Sequence, residues 1–226
     1  MAPMFRTLLA TLVCCAVATA SAGCSATPAA DESKADIAKV LDVKSDFGPQ
    51  FKVSTVAPTG IDPRLLAQQP LPPGTVFDPP GCAKVAEGTN LPQGLKGNMA
   101  ATTAEGDGNR FIAIALETSE ALTTPDPGDA CKKVAFAGGG VRGLVEVVEA
   151  PAIDGVRTLG THRVLQTMVN GKPATGEIYN YLADFSTFRV IVTANPLVEP
   201  KKPVTPVDTQ RARDLLSAAV KAVRGG

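Results

Sequence analysis

The stretch that decides the fold is GNMAATTAEGDGNRFIAIALETSE, residues 97–120. Asn98 to Glu105 and Asn109 to Thr118 flank Gly106-Asp107-Gly108, and two β-prone runs joined by a short Gly/Asp turn predict a β-hairpin. The core of the second run, Phe111-Ile112-Ala113-Ile114-Ala115-Leu116, is apolar at every position. A strand with only one buried face would alternate, so this strand is expected at the centre of a sheet, covered on both sides.

Working outward, Phe51 to Val56, Val141 to Glu149, Thr161 to Val169, Glu177 to Ala183 and Thr187 to Ala194 also read as strands, with a second hairpin turn at Asn170-Gly171. Pro70 to Pro80 and Pro125 to Gly128 read as loops, and Ile61 to Gln68 as one or two helical turns. Cys82 to Glu87 suggests another short helix. At the N-terminal side, Ser33-Lys34-Ala35-Asp36 has the form of a capping box ahead of Ile37, Val40, Leu41 and Lys44, with Gly48 as the stop. At the other end, Pro196, Pro200, Pro203 and Pro206 make an extended connector to Asp208, an expected N-cap. Ala212, Leu215, Leu216, Ala219, Val220 and Val223 then recur at helical spacing as one apolar stripe. Helix, mostly antiparallel strands, helix is the order of an α+β protein. The expected architecture is a single domain: a twisted, mostly antiparallel sheet of about six strands with the N- and C-terminal helices packed on one face.

Composition fits that size of core. The chain has 226 residues, 44% of them hydrophobic and 19% charged, with 19 Pro and 21 Gly. Lys plus Arg and Asp plus Glu both number 22. Such a balance supplies neither the cationic field of a nucleic-acid binder nor a polybasic stretch for anionic membranes.

The first 33 residues are of a different kind. Arg6 precedes Thr7 to Ala20 (TLLATLVCCAVATA), an apolar run too short for a membrane span and of the length of a signal-peptide core. Ser21-Ala22-Gly23-Cys24 follows. Small residues ending in Cys resemble the lipobox of bacterial lipoproteins, in which that Cys is acylated and becomes the mature N-terminus; Ser21 stands where Leu is usual. Ala18-Thr19-Ala20 offers an ordinary signal-peptidase site as the alternative. Cysteine arithmetic favours Cys24: of five cysteines, Cys14 and Cys15 leave with the signal, and a lipidated Cys24 leaves Cys82 and Cys131 as an even pair. Residues 1–23 are therefore read as signal peptide, 24–33 (beginning at the lipidated Cys and running through SATPAADES) as a flexible tether, and 34–226 as the domain. The protein is expected on the extracytoplasmic face of the cell membrane, with secretion as the alternative, and its membrane contact is through the lipid.

In an oxidising compartment Cys82 and Cys131 are expected to form a disulfide, closing a loop worth on the order of 4 kcal/mol in the chain-entropy account. No CxxC accompanies them, and no metal or cofactor site is expected. Gly138-Gly139-Gly140-Val141-Arg142-Gly143 fits GxGxxG literally, but it leads into the strand Leu144 to Val148 where a dinucleotide fold needs a helix, so it reads as a turn between strands. His162, the single histidine, stands next to Arg163 at a strand start without a GxSxG nucleophile. It reads as a surface or hydrogen-bonded structural residue. The carboxylate pairs Glu146/Glu149 and Asp126/Asp129 read as solvated charge, and Tyr179 and Tyr181, with Phe185 and Phe188, as core or half-buried packing ahead of pocket lining. No residue is assigned a catalytic role.

The stretches 47–66, 97–120, 153–171, 180–200 and 207–220 resemble a family of mycobacterial lipoproteins that carries a domain of unknown function. The resemblance implies export, lipidation at Cys24 and pairing of Cys82 with Cys131. More distantly, the helix–sheet–helix order with a disulfide is similar to the extracellular sensor domain of a mycobacterial serine/threonine kinase and to PsbP-like envelope lipoproteins, though that sensor family has two disulfides where this chain can make one. These likenesses imply a non-catalytic module that binds a small ligand, an envelope lipid or a protein partner, and no nucleic acid. A secreted hydrolase and a structural part of an envelope complex are the alternatives.

Overall fold

The computed structural model describes residues 34–62, 71–88, 91–92 and 94–225. Cys24, the signal peptide, the tether, Ser33 of the capping box and all but the first two residues of the helical turns expected at Ile61 to Gln68 lie outside them.

Among the described residues nine antiparallel strands form one sheet in the order β1-β3-β4-β9-β8-β7-β6-β5-β2. They are β1 (Lys52–Gly60), β2 (Val76–Asp78), β3 (Gly97–Gly106), β4 (Asn109–Thr118), β5 (Lys133–Gly138), β6 (Val141–Val148), β7 (Arg157–Val169), β8 (Lys172–Phe185) and β9 (Phe188–Pro196). The expectation of about six strands is therefore too low. β2 is three residues long, too short to show a period, and lies inside the segment read as a Pro-rich loop. β5 does alternate, with Val134 and Phe136 buried between exposed Lys133, Ala135 and Ala137, but it is brief and ends in the glycine run 138–140. The glycine run is the turn between β5 and β6: Gly139 and Gly140 both have positive φ, as do Asp107-Gly108 and Asn170-Gly171 in two other two-residue hairpins. Such turns match the right-handed twist of the strands they join.

β4 is central as expected, paired with β3 and β9 along its length. On one face of the sheet Ala104, Phe111, Ala113, Tyr181, Val190 and Val192 meet two helices. One is the C-terminal α-helix Thr209–Val223, here α2, whose six stripe residues are all buried. Asp208 caps it, accepting a hydrogen bond from the Arg211 N–H at 2.9 Å. The other is Ile37–Asp46, which is a 3-10 helix. Its buried residues, Ile37, Val40 and Val43, fall three apart, the period of a 3-10 turn. Its cap is Asp36, whose carboxylate accepts from the Ala38 N–H.

The opposite face carries two separate apolar clusters. One gathers Met99, Ala101, Ile114 and Leu116. The other packs a short helix, α1 (Ala83–Glu87), through Val85 and Ala86 onto Val134, Phe136 and Val145. Gly143 belongs to that contact: a Cβ there would collide with the Phe136 ring and the Val164 carbonyl. Only glycine lets the ring lie against β6.

Candidate functional site

Two places on the sheet bring chemistry-bearing side chains together. The first is the half of the helical face that the helices leave uncovered, where β7, β6 and β5 continue past α2. A cross-strand row runs Lys133, Glu146, His162, Tyr179. Lys133 Nζ lies 2.8 Å from Glu146 Oε1. The His162 ring stacks on Tyr179, centroids 4.1 Å apart and 8° from parallel, and His162 Nε2 is 3.1 Å from Glu177 Oε2. Burial, aided by Glu177, raises the Tyr179 phenol above its ordinary pKa. His162 is thus a half-buried, hydrogen-bonded residue whose partners are a carboxylate and a phenol ring. That arrangement does not supply the nucleophile–base hydrogen bond of an acyl-transfer triad. Tyr181 is buried in the core, and burial raises its pKa while the Arg213 guanidinium opposes the rise.

The second place is a cavity of about 520 Å³ on the opposite face. It is lined by Lys84, Glu87 and Gly88 at the end of α1, by Pro92, by residues 120–123 and Pro125 after β4, and by Arg189 at the start of β9. Arg189 is 3% exposed and faces Asp184 directly across the β8–β9 hairpin. Its Nε and Nη2 donate to the two carboxylate oxygens of Asp184 at 2.6 and 2.7 Å. The Thr124 hydroxyl donates to the same carboxylate, and Arg157 Nη1 donates to the Thr124 carbonyl at 3.3 Å. A two-point fork of this kind fixes the guanidinium plane. Its third nitrogen, Nη1, makes no hydrogen bond among the described residues.

The wall formed by α1 is held from three sides. Cys82 and Cys131 are bonded, closing the expected loop at the helix start. Val85 and Ala86 are buried beneath it. At its end, the buried Arg163 donates from Nη2 to the Ala86 carbonyl at 2.9 Å while its guanidinium lies over the Phe136 ring. A five-residue helix would not persist alone, so these contacts are what make it a wall. Burial lowers the pKa of Arg163.

The remaining carboxylate pairs stay apart from both places or are neutralised locally. Asp129 pairs with Lys132 at 2.7 Å, Asp126 accepts from the Gly128 N–H, and Glu146 is held by Lys133. Among the described residues no group of three or more His, Cys, Asp or Glu is placed to hold a metal ion, and no helix is long and apolar enough to cross a membrane. A smaller cavity of about 340 Å³ lies between the 3-10 helix and the start of α2, bordered by Asp46, Phe47, Asp208 and Arg211.

Sequence reasoning passed over Arg163, Asp184 and Arg189. For the last two the signal was present: LADFSTFRVIV, residues 182–192, is an apolar hairpin with one acid and one base equidistant from its turn.

The chain enters the domain at the same end of the sheet as the larger cavity, on the opposite face. The Asp36 N–H donates to the Val223 carbonyl at 2.8 Å, and Arg224 lies over Phe185, the neighbour of Asp184. The β7–β8 turn at Asn170-Gly171 is at the far end, on an arm that outreaches both neighbouring strands.

Fold and site together define a single-domain α+β protein with a half-covered antiparallel sheet and an arginine-floored cavity. The chain belongs to a family described as a domain of unknown function, DUF5642, matched over residues 36–224. It is similar to the X-ray structure of an uncharacterized protein, an Rv0999 ortholog, from Mycobacterium smegmatis. The two share 64% identity, covering 85% of this chain and 99% of that one with a TM-score of 0.81. Curated proteins give no match.

Proposed function

We propose that this is an exported envelope lipoprotein, anchored through acylated Cys24, whose domain binds a ligand in the cavity floored by Arg189 and does not catalyse. The observation that carries this reading is the immobilised guanidinium. An arginine buried with its carboxylate, yet lining a cavity of ligand size with one nitrogen that no described residue hydrogen-bonds, is built to receive something. A purely structural ion pair has no need of the cavity. The lipobox-like Ser21-Ala22-Gly23-Cys24 and the even cysteine count support the anchor. With a tether of about ten residues, the anchor would hold the cavity end of the domain towards the membrane.

Native mass spectrometry of detergent-extracted protein tests both parts. Expected are a mature chain beginning at Cys24 with the mass of its acyl chains and a co-purifying small molecule that is lost when Leu122 at the cavity is replaced by Trp. An unmodified Cys24, or a mature start at another residue, refutes the anchor. A ligand that survives Leu122→Trp refutes the cavity. A second reading, a part of an envelope complex, draws on the β7–β8 arm, whose end exposes Met168 and Val169. Cross-linking from Val169→Cys to another envelope protein, unaffected by Leu122→Trp, would favour it.

A further inference from the structure

The cavity's charges narrow what it holds. Arg189 and Lys84 supply two cations, Glu87 and Glu120 two carboxylates, and Asp184 stands behind Arg189 as its fixed counter-ion. A lone anion would meet Arg189 and Lys84 but also the two glutamates. A lone cation would meet the glutamates but also Lys84 and the guanidinium. Either one alone leaves side chains of its own sign in the cavity without a partner. A molecule carrying both signs a short distance apart gains from both sets. We propose, on the reading that this cavity is the binding site, that its ligand is a zwitterion: a carboxylate or phosphate group accepts from Arg189 Nη1 with Lys84 beside it, and an ammonium group donates to Glu120 with Glu87 beside it.

Arg189 does the orienting. Asp184 holds its Nε and Nη2, and Thr124 holds Asp184, so Nη1 points without loss of side-chain freedom when the acid arrives. Lys84, Glu87 and Glu120 are free to adjust. The same chemistry could come from a zwitterionic lipid headgroup or from a free amino acid or peptide, and the experiment separates the two.

Detergent-solubilised full-length protein is titrated calorimetrically with O-phosphoethanolamine, glycine, glycerol 3-phosphate and ethanolamine. One of the two zwitterions is expected to bind at least about tenfold more tightly than either single-charge probe, the difference one charge-assisted contact makes. Preference for O-phosphoethanolamine, with matching retention on vesicles containing phosphatidylethanolamine but not on phosphatidylglycerol alone, identifies the headgroup; preference for glycine identifies the amino acid. Arg189→Lys and Glu120→Gln are each expected to weaken the preferred zwitterion about tenfold. Glu120→Gln lies on the rim and keeps the test open if Arg189→Lys does not fold. Equal binding of zwitterions and single-charge probes, or full affinity in Glu120→Gln, overturns the assignment. If a co-purified ligand is lost in Leu122→Trp but no zwitterion displaces it, the ligand class falls and the binding site stands. If there is no co-purified ligand and no probe binds, both fall.

Discussion

Replacing Arg189 by Met would leave the Asp184 carboxylate buried beside the β8–β9 turn with only the Thr124 hydroxyl donating to it. Both side chains of the pair are at most 6% exposed, so the stranded charge cannot turn to water. Breaking a buried pair from one side costs about 3–5 kcal/mol. For a domain of this size each kcal/mol lowers Tm by about 2–4 °C, so Arg189→Met should melt roughly 6–20 °C below the wild type. Asp184→Leu strands the guanidinium and the Thr124 hydroxyl and should cost about as much. The double variant removes both charges together. It should recover most of the loss, less about 1–3 kcal/mol for Thr124, which has lost its acceptor. Urea unfolding of the four proteins followed by circular dichroism gives the coupling energy, expected to exceed about 2 kcal/mol. If each single variant costs under about 1 kcal/mol, or if the double costs the sum of the singles, the pair does not fix Arg189 and the case for a preset donor in the cavity collapses.

Two further outcomes are expected. Replacing Cys82 and Cys131 together by Ser should lower stability by about 4 kcal/mol and raise protease cleavage within α1 ahead of global unfolding; unchanged cleavage in α1 would show that Arg163 and the buried Val85 suffice. Tyr179 has a raised pKa in the fold, so the unfolded chain gives up this proton first. Its contribution is whole below the ordinary tyrosine value of 10.0 and is lost as pH climbs through the raised one. Denaturant midpoints measured from pH 9 to 11 should fall more steeply for the wild type than for Tyr179→Phe; parallel slopes would contradict the assignment.

The parts of the fold legible in the sequence are those whose signal is local and repeated. The run 111–116 announced a central strand, Asp107-Gly108 and Asn170-Gly171 announced their turns, and the stripe from Ala212 to Val223 announced both the last helix and its buried face. The N-terminal helix was visible, but its type was not: Ile37 and Val40 fit an α-helix as well as a 3-10 helix until Val43, not Leu41, is found buried. β2 went unseen because three residues carry no period, and it exists only by pairing with β5. The site was less legible still. Asp184 and Arg189 meet because a tight turn sets them opposite each other, and Arg163 reaches Ala86 across 77 positions of sequence. The first contact lies inside the hairpin 182–192 but shows only once the turn is placed, and no window along the chain contains the second. An acid or a base set into an apolar strand was the only trace of either, and a charge in that position requires a partner to be sought elsewhere.

The hydrogen bond from Asp36 to Val223 has an engineering consequence. It places Lys34 against Gly225, whose absent side chain would touch the Lys34 carbonyl. The beginning and end of the folded domain are therefore neighbours, and a short Gly/Ser linker from 225 to 34 would close the chain into a ring. Opening that ring at Asn170-Gly171 would give a permutant whose new ends sit at the tip of the β7–β8 arm, at the far end of the sheet from the cavity. A fluorophore or surface-attachment group placed there would report on binding without crowding the site. One fused after Gly225 would instead lie beside Lys34, at the same end of the sheet as the cavity.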